Sequence, residues 1–305
     1  MLAILTWPFG VRTGTLPTAA AGWCTHCQRE HRLARTPEAE QHALALLASI
    51  DAAGRFDFEE PTGEKRFQTE ACTGGKMLGV LTCEGGTVLR AFSGMLGGSW
   101  HCPGWVGPVA SLTLEDAAAS VRFARIVEHV QLAKEASDEP ARIEHSRIHR
   151  ALSAELSTDL AASVVLRNWR GDEVALPDLL ERRQQQLPTT RRPPWGVGDC
   201  AAPKLLHAAH ALGLRPTGLA ELWHAPPAPN PTLTLITLPI ALALALALTR
   251  HEPPSRRGSR GPGGSAPRRE HGSLHPACQE RCEPIMGFLL CGLEDGAPDP
   301  RTLLQ

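Results

Sequence analysis

Tyrosine is absent from this 305-residue chain, and aromatic residues make up only 5% of it. Alanine, arginine, glycine and proline take up the space, a pattern of coding bias with little physical content of its own. Net charge is nearly absent too, at −1. That excludes a global electrostatic pull towards nucleic acid or anionic membrane, so any RNA contact must come from local patches. The nine cysteines are too few for a disulfide scaffold in a chain this long, and their number is odd. The opening MLAILTWPFG has no basic leader and breaks at Pro8 and Gly10. A reducing cytoplasm, with thiols free or metal-bound, is therefore expected. The longest apolar run, Leu233–Leu248, is shorter than the roughly 20 residues of a spanning helix and contains Pro239. No membrane role is expected.

Two cysteine-bearing blocks in the last third stand out. The first is GVGDCAAPKLLHAAHALGLRPTGLAELW (Gly196–Trp223); the second is HPACQERCEPIMGFLLCGL (His275–Leu293). Cys200 in one, and Cys278 and Cys282 in the other, stand just ahead of helical patterns. Helix N-termini favour negative charge, and thiolate sulfur suits zinc. Zinc is accordingly expected on Cys200, Cys278 and Cys282, with His275 as the fourth ligand. The competing reading treats the thiols as small buried hydrophobes. Cys291 follows Phe288 on an apolar face and reads as core. Near the N-terminus, Cys24 and Cys27 form a CxxC with His26 and His31 close by, but no second CxxC follows downstream. That favours two surface thiols over a metal half-site.

The remaining pattern mixes helices and strands, α+β or α/β. Residues 1–110 read as an N-terminal α+β region, irregular up to residue 35. Pro37–Ala53 is a helix with acids in its first turn, Gly54 after its end, and Leu44, Leu47 and Ile50 as its apolar stripe. Lys76–Gly94 reads as a β-hairpin turning at Glu84-Gly85-Gly86. The following Gly/Trp-rich loop reads as packing over that hairpin rather than as a substrate loop. Residues 111–183 form a helical arm, capped by Thr113, helical from Leu114 to about Arg167 and interrupted at 137–140. Arg142, Arg147 and Arg150 on it read as a solvated face. Residues 184–224 plus 271–305 form a C-terminal cysteine-bearing α/β module. Residues 225–270 read as a low-complexity, disordered insert in an exposed loop.

GKMLGVL (Gly75–Leu81), AFSGMLGG (Ala91–Gly98) with PGWVGPV, the arm ending at Asn168, PPWGVGDCAAPKLL, and the second cysteine block together carry a family likeness. They resemble the long N-terminal extension of certain RluA-type RNA pseudouridine synthases. That resemblance implies a bacterial protein of RNA modification, with RNA and a pseudouridine synthase catalytic domain as partners. The synthase itself uses an aspartate in an Arg-Leu-Asp motif, and no such motif occurs here. The expectation is a non-catalytic accessory domain, or a truncated synthase. Arg191, Arg192, Arg256, Arg257 and Arg260 are the candidate RNA contacts.

A fainter likeness is to the zinc-dependent base and nucleoside deaminases, whose fold the C-terminal module would share. There a glutamate two residues after the first ligand shuttles protons. Here Ala202 stands in its place, and Cys278 and Cys282 are separated by three residues instead of two. The chain alone is therefore expected neither to isomerise uridine nor to deaminate.

Overall fold

The computed structural model describes residues 16–72, 74–113, 116–188, 196–225 and 269–294. Its sheets are antiparallel and its helices pack against them, so the fold is α+β. Residues expected to be irregular begin with a hairpin, β1 (Thr18–Cys24) and β2 (Arg29–Ala34). Strand β1 is TAAAGWC, whose small residues hide the β pattern that bulky branched side chains would announce.

Helix α1 (Pro37–Ala53) begins at Thr36, whose hydroxyl accepts from the Ala39 N–H at 3.2 Å, and ends at Gly54 in the left-handed region. Leu47 and Ile50 are buried, but Leu44 is 49% exposed. The buried stripe runs through Ala39, Ala43, Leu46, Leu47 and Ile50, and position 44 lies about 120° round from its centre.

The expected hairpin forms as β3 (Lys76–Cys83) and β4 (Val88–Phe92), with Gly85 and Gly86 at positive φ in the turn. Helices α2 (Ala117–Glu135) and α3 (Glu139–Ala162) make the arm. The start of α2 lies at Asp116, not Thr113; the Asp116 carboxylate accepts from the Thr113 N–H instead. Asp138 caps α3, accepting from the Ala141 N–H at 2.8 Å. Helix ends at 162, short of the expected 167. Residues 165–167 instead form strand β5 (Val165–Arg167), paired with β6 (Glu173–Ala175) across the Asn168 turn. Two β-branched valines just before this turn favour the strand. Arg142 and Arg147 pair with Glu139 and Glu144 on the exposed face of α3.

Helix α4 (Leu176–Gln186) follows, then α5 (Ala201–Ala211), β7 (Pro216–His224), β8 (Leu274–His275) and α6 (Glu283–Leu290). Among the described residues, β4, β3, β7 and β8 form one sheet in that order. Strands from the first 110 residues and from the cysteine-bearing segments thus complete one sheet. Helices cover both its faces. Leu78, Val80, Ala220 and Leu222 pack with α1, while Leu81, Leu219 and the residues opposite Gly79 pack with α5. The period of two along β3 and β7 sorts side chains between the two layers. Gly79 sets the spacing: a Cβ there would lie 2.9 Å from both Ala201 Cβ and Leu205 Cδ1.

Trp105 is buried in the α1 layer, edge-on to Phe92, and its indole donates to the Phe56 carbonyl at 2.8 Å. Trp105 is thus packing, while Trp100, Pro108 and Val109 of the same Gly/Trp-rich loop line a cavity. No helix of the described residues is long and apolar enough to cross a membrane. Leu233–Leu248 and nearly all of the 225–270 insert lie outside them.

Candidate metal centres

Cys200 is the N-cap residue of α5. The loop leading to it is tied down by Asp199, whose carboxylate accepts from the Trp100 indole at 2.8 Å and faces Lys204 Nζ at 3.4 Å. Lys204 is buried. It donates to the carbonyls of Phe92 and Gly94 at 3.1 and 2.8 Å, and its ammonium stands over the Phe92 ring. Burial pulls its pKa down, and Asp199 opposes the shift. Lys204 thus fastens the start of α5 to the end of β4.

Cys282 is the N-cap residue of α6, and Cys278 sits one turn before it. The Cys278 carbonyl accepts from the N–H groups of Cys282 and Glu283 at 3.3 and 3.1 Å. Glu283 is held in turn by Arg183 of α4 at 2.6 Å.

The two helix starts bring Cys200 Sγ within 3.9 Å of Cys278 Sγ, and Cys278 Sγ within 3.4 Å of Cys282 Sγ. Two sulfurs on one tetrahedral zinc lie about 3.8 Å apart, given Zn–S bonds of about 2.3 Å. The three thiols could hold a metal ion. Hydrogen bonding with Cys200 and Cys282 holds Cys278 far below the ordinary thiol range, against the effect of burial. The backbone N–H groups of Arg281 and Cys282 add to the effect. Contact with Cys278 pushes Cys200 up, and contact with Cys200 and Cys278 pushes Cys282 up. The three thiols therefore titrate as one coupled group.

His275 does not join them. It falls outside the group of mutually close ligand atoms, and its Nε2 lies 2.8 Å from Ser273 Oγ. As a β8 residue opposite Glu221, it is held on the edge strand of the sheet.

Sequence reasoning missed Glu221. This β7 carboxylate is buried on the α5 side of the sheet and accepts from the Ala202 N–H at 3.0 Å. Burial pushes it up to about 7, the Ala202 N–H opposes, and the Cys278 charge adds to the rise. The signal was available: AELW places a glutamate on an otherwise apolar central strand.

Two further groups have metal-ligand composition. Cys24, Cys27, His31 and Cys291 converge, although CxxC lacked a partner in sequence and Cys291 read only as core. Asp51, His224 and His271 also converge. There, His271 accepts from the Ala225 N–H at 3.2 Å through Nδ1, so its Nε2 is the nitrogen that donates to Asp51 at 2.9 Å. Both ring nitrogens are used, and the group is a hydrogen-bonded tie between α1 and the end of β7.

A cavity of about 810 Å³ lies between the helical arm and the core, lined by Ala110, Leu160, Leu176 and the loop residues Gly198 and Asp199 ahead of Cys200. The candidate RNA contacts Arg191, Arg192, Arg256, Arg257 and Arg260 lie outside the described residues. Family models, curated proteins and solved structures give no significant match to this chain.

Proposed function

We propose that this chain is a zinc-binding accessory module of RNA modification, built around Cys200, Cys278 and Cys282. One observation supports the metal reading above all: three thiols from two separate helix starts meet at the spacing of a tetrahedral thiolate site. Buried free thiols have no need to converge in this way. The link to RNA pseudouridylation rests on the sequence motifs quoted above, several of which the fold gathers around this centre. GKMLGVL is β3, AFSG closes β4 onto Lys204, and GDCAAPKLL carries Cys200 into α5.

Glu221 favours a second reading, a deaminase-type hydrolase. Three protein ligands leave a fourth position for water, whose pKa a bound zinc would lower. The carboxylate missing at Ala202 is supplied from β7 to the backbone of that same residue. With a pKa near neutrality, Glu221 could take up and return a proton.

The experiment is incubation of zinc-loaded chain with total RNA and with free nucleosides, read by mass spectrometry. The accessory reading expects no pseudouridine, no inosine and no new uridine. Deaminated product that disappears in Glu221→Gln would establish the hydrolase reading instead.

A further inference from the structure

We infer that Cys24, Cys27, His31 and Cys291 form a second, four-ligand zinc site that staples the N-terminal hairpin to the end of α6. Their ligand atoms all lie within 4.8 Å of one another. Cys27 Sγ is 3.8 Å from Cys291 Sγ, the separation of two sulfurs on one zinc, and 2.9 Å from His31 Nε2. Three sulfurs and one nitrogen make a complete tetrahedral set with no vacant position. That donor set suits zinc, and a closed shell of protein ligands marks a structural site.

The local chain geometry has the form of a metal-binding knuckle. Cys24 ends β1 and His31 lies within β2, so the CxxC spans the hairpin turn. Gln28, just after Cys27, has φ of 56°, and it is the single non-glycine residue with positive φ among those described. Its N–H donates to the Cys24 carbonyl at 3.0 Å. The N–H groups of His26 and Cys27 are directed at the Cys24 sulfur. The hairpin turn thus presents two backbone donors to the Cys24 sulfur.

Groups around the four ligands complete the case. His31 is fully buried and turns Nε2 to Cys27, while Nδ1 faces Glu294 at 3.7 Å. Glu294 is itself held by the Arg32 N–H at 3.2 Å. Glu294 thus places a carboxylate on the side of the ring away from Cys27, at ion-pair and not hydrogen-bond distance. The Arg170 side chain hydrogen-bonds Cys291, offsetting the −1 charge of three thiolates on Zn²⁺. Each thiol would release its proton to solvent on binding.

Close approach of Gly22 and Gly287 creates the meeting point. A Cβ on Gly287 would lie 2.2 Å from the Trp23 carbonyl carbon, and one on Gly22 would lie 2.5 Å from Gly287 N. Only bare backbones bring the end of β1 and α6 this close. The bond would close a loop of more than 260 residues between Cys27 and Cys291.

The test is zinc content of the full chain. Because this site shares no ligand with the Cys200 centre, each can fail without the other. The Cys278→Ser/Cys282→Ser variant should keep one tightly bound zinc per chain, and Co²⁺ exchanged into it should give the strong visible absorption of a tetrahedral thiolate site. His31→Cys should retain that metal and His31→Ala should lose it. In wild-type protein, Cys24, Cys27 and Cys291 should resist alkylation until a chelator is added. This last measurement needs no variant that might misfold. Folded Cys278→Ser/Cys282→Ser protein without zinc, alkylation rates unchanged by chelator, or a Cys27–Cys291 disulfide in the protein as isolated would each overturn the inference.

Discussion

The carboxylate of Glu221 on β7 accepts a hydrogen bond at 3.0 Å from the backbone N–H of Ala202 at the start of α5. A buried carboxylate therefore stands beside Ala202, the position at which the sequence carries no acid. Its burial is tolerated because the positive end of α5 receives it. The same helix start carries Cys200, so the acid and the thiol cluster share one electrostatic environment.

Replacing Glu221 by Gln tests this arrangement. The amide removes the charge and keeps an oxygen acceptor for Ala202. The variant should fold and melt within a few degrees of wild type. Glu221→Leu should be worse by about 1–3 kcal/mol, because it leaves the Ala202 N–H buried without an acceptor. Equal melting of the two variants in thermal denaturation would show that the hydrogen bond does not matter.

Gly287→Ala should destabilise the chain by about 1–3 kcal/mol or more, since the methyl meets the Trp23–Cys24 peptide group, which is backbone and cannot swing aside. The shift should also part Cys291 from Cys24 and Cys27. Chemical denaturation together with zinc content checks both effects, and an unchanged midpoint would contradict the packing described.

Asp57 gives a pH signature. Its buried carboxylate is pushed up by desolvation, but hydrogen bonds from Arg55 and Thr62 outweigh this and hold it at about 2. A depressed folded-state pKa contributes stability above the unfolded value of about 3.9. That stability is lost as pH falls through about 2. Asp57→Asn should cost about 1–2 kcal/mol at pH 7, after allowance for solvent screening near the surface. The gap from wild type should close between pH 4 and 2. A gap independent of pH would show that the ion pair is not the cause.

Removing residues 227–267 and joining the ends with a short Gly/Ser linker should leave a folded protein. The two sides of that segment already meet: the Ala225 N–H reaches His271, and β7 pairs with β8 at Glu221–His275 and Leu222–Leu274. Loss of the cooperative melt on deletion would mean that the segment belongs to the core.

Local signals gave the elements that sequence made legible. Thr36, Pro37 and Gly54 bounded α1, Gly85-Gly86 marked the β3–β4 turn, and Asp138-Glu139-Pro140 separated the arm helices. Cys200, Cys278 and Cys282 were legible as a set because each precedes a helix. What stayed hidden depended on contacts distant in sequence. Cys291 meets Cys27 across the whole fold, and only the Gly22–Gly287 approach makes the pairing possible. His275 was assigned by its three-residue spacing from Cys278, but pairing with β7 takes it to the sheet edge. Strand β1 was missed because its alanines and glycine carry almost no strand propensity of their own.

Zinc content of wild type beside Cys278→Ser/Cys282→Ser tests the central claim most directly. The variant should contain one zinc fewer per chain and melt lower, while the wild-type metal should be displaced by a chelator only slowly. Equal zinc content and equal melting temperature in the two proteins would contradict a metal centre at Cys200, Cys278 and Cys282.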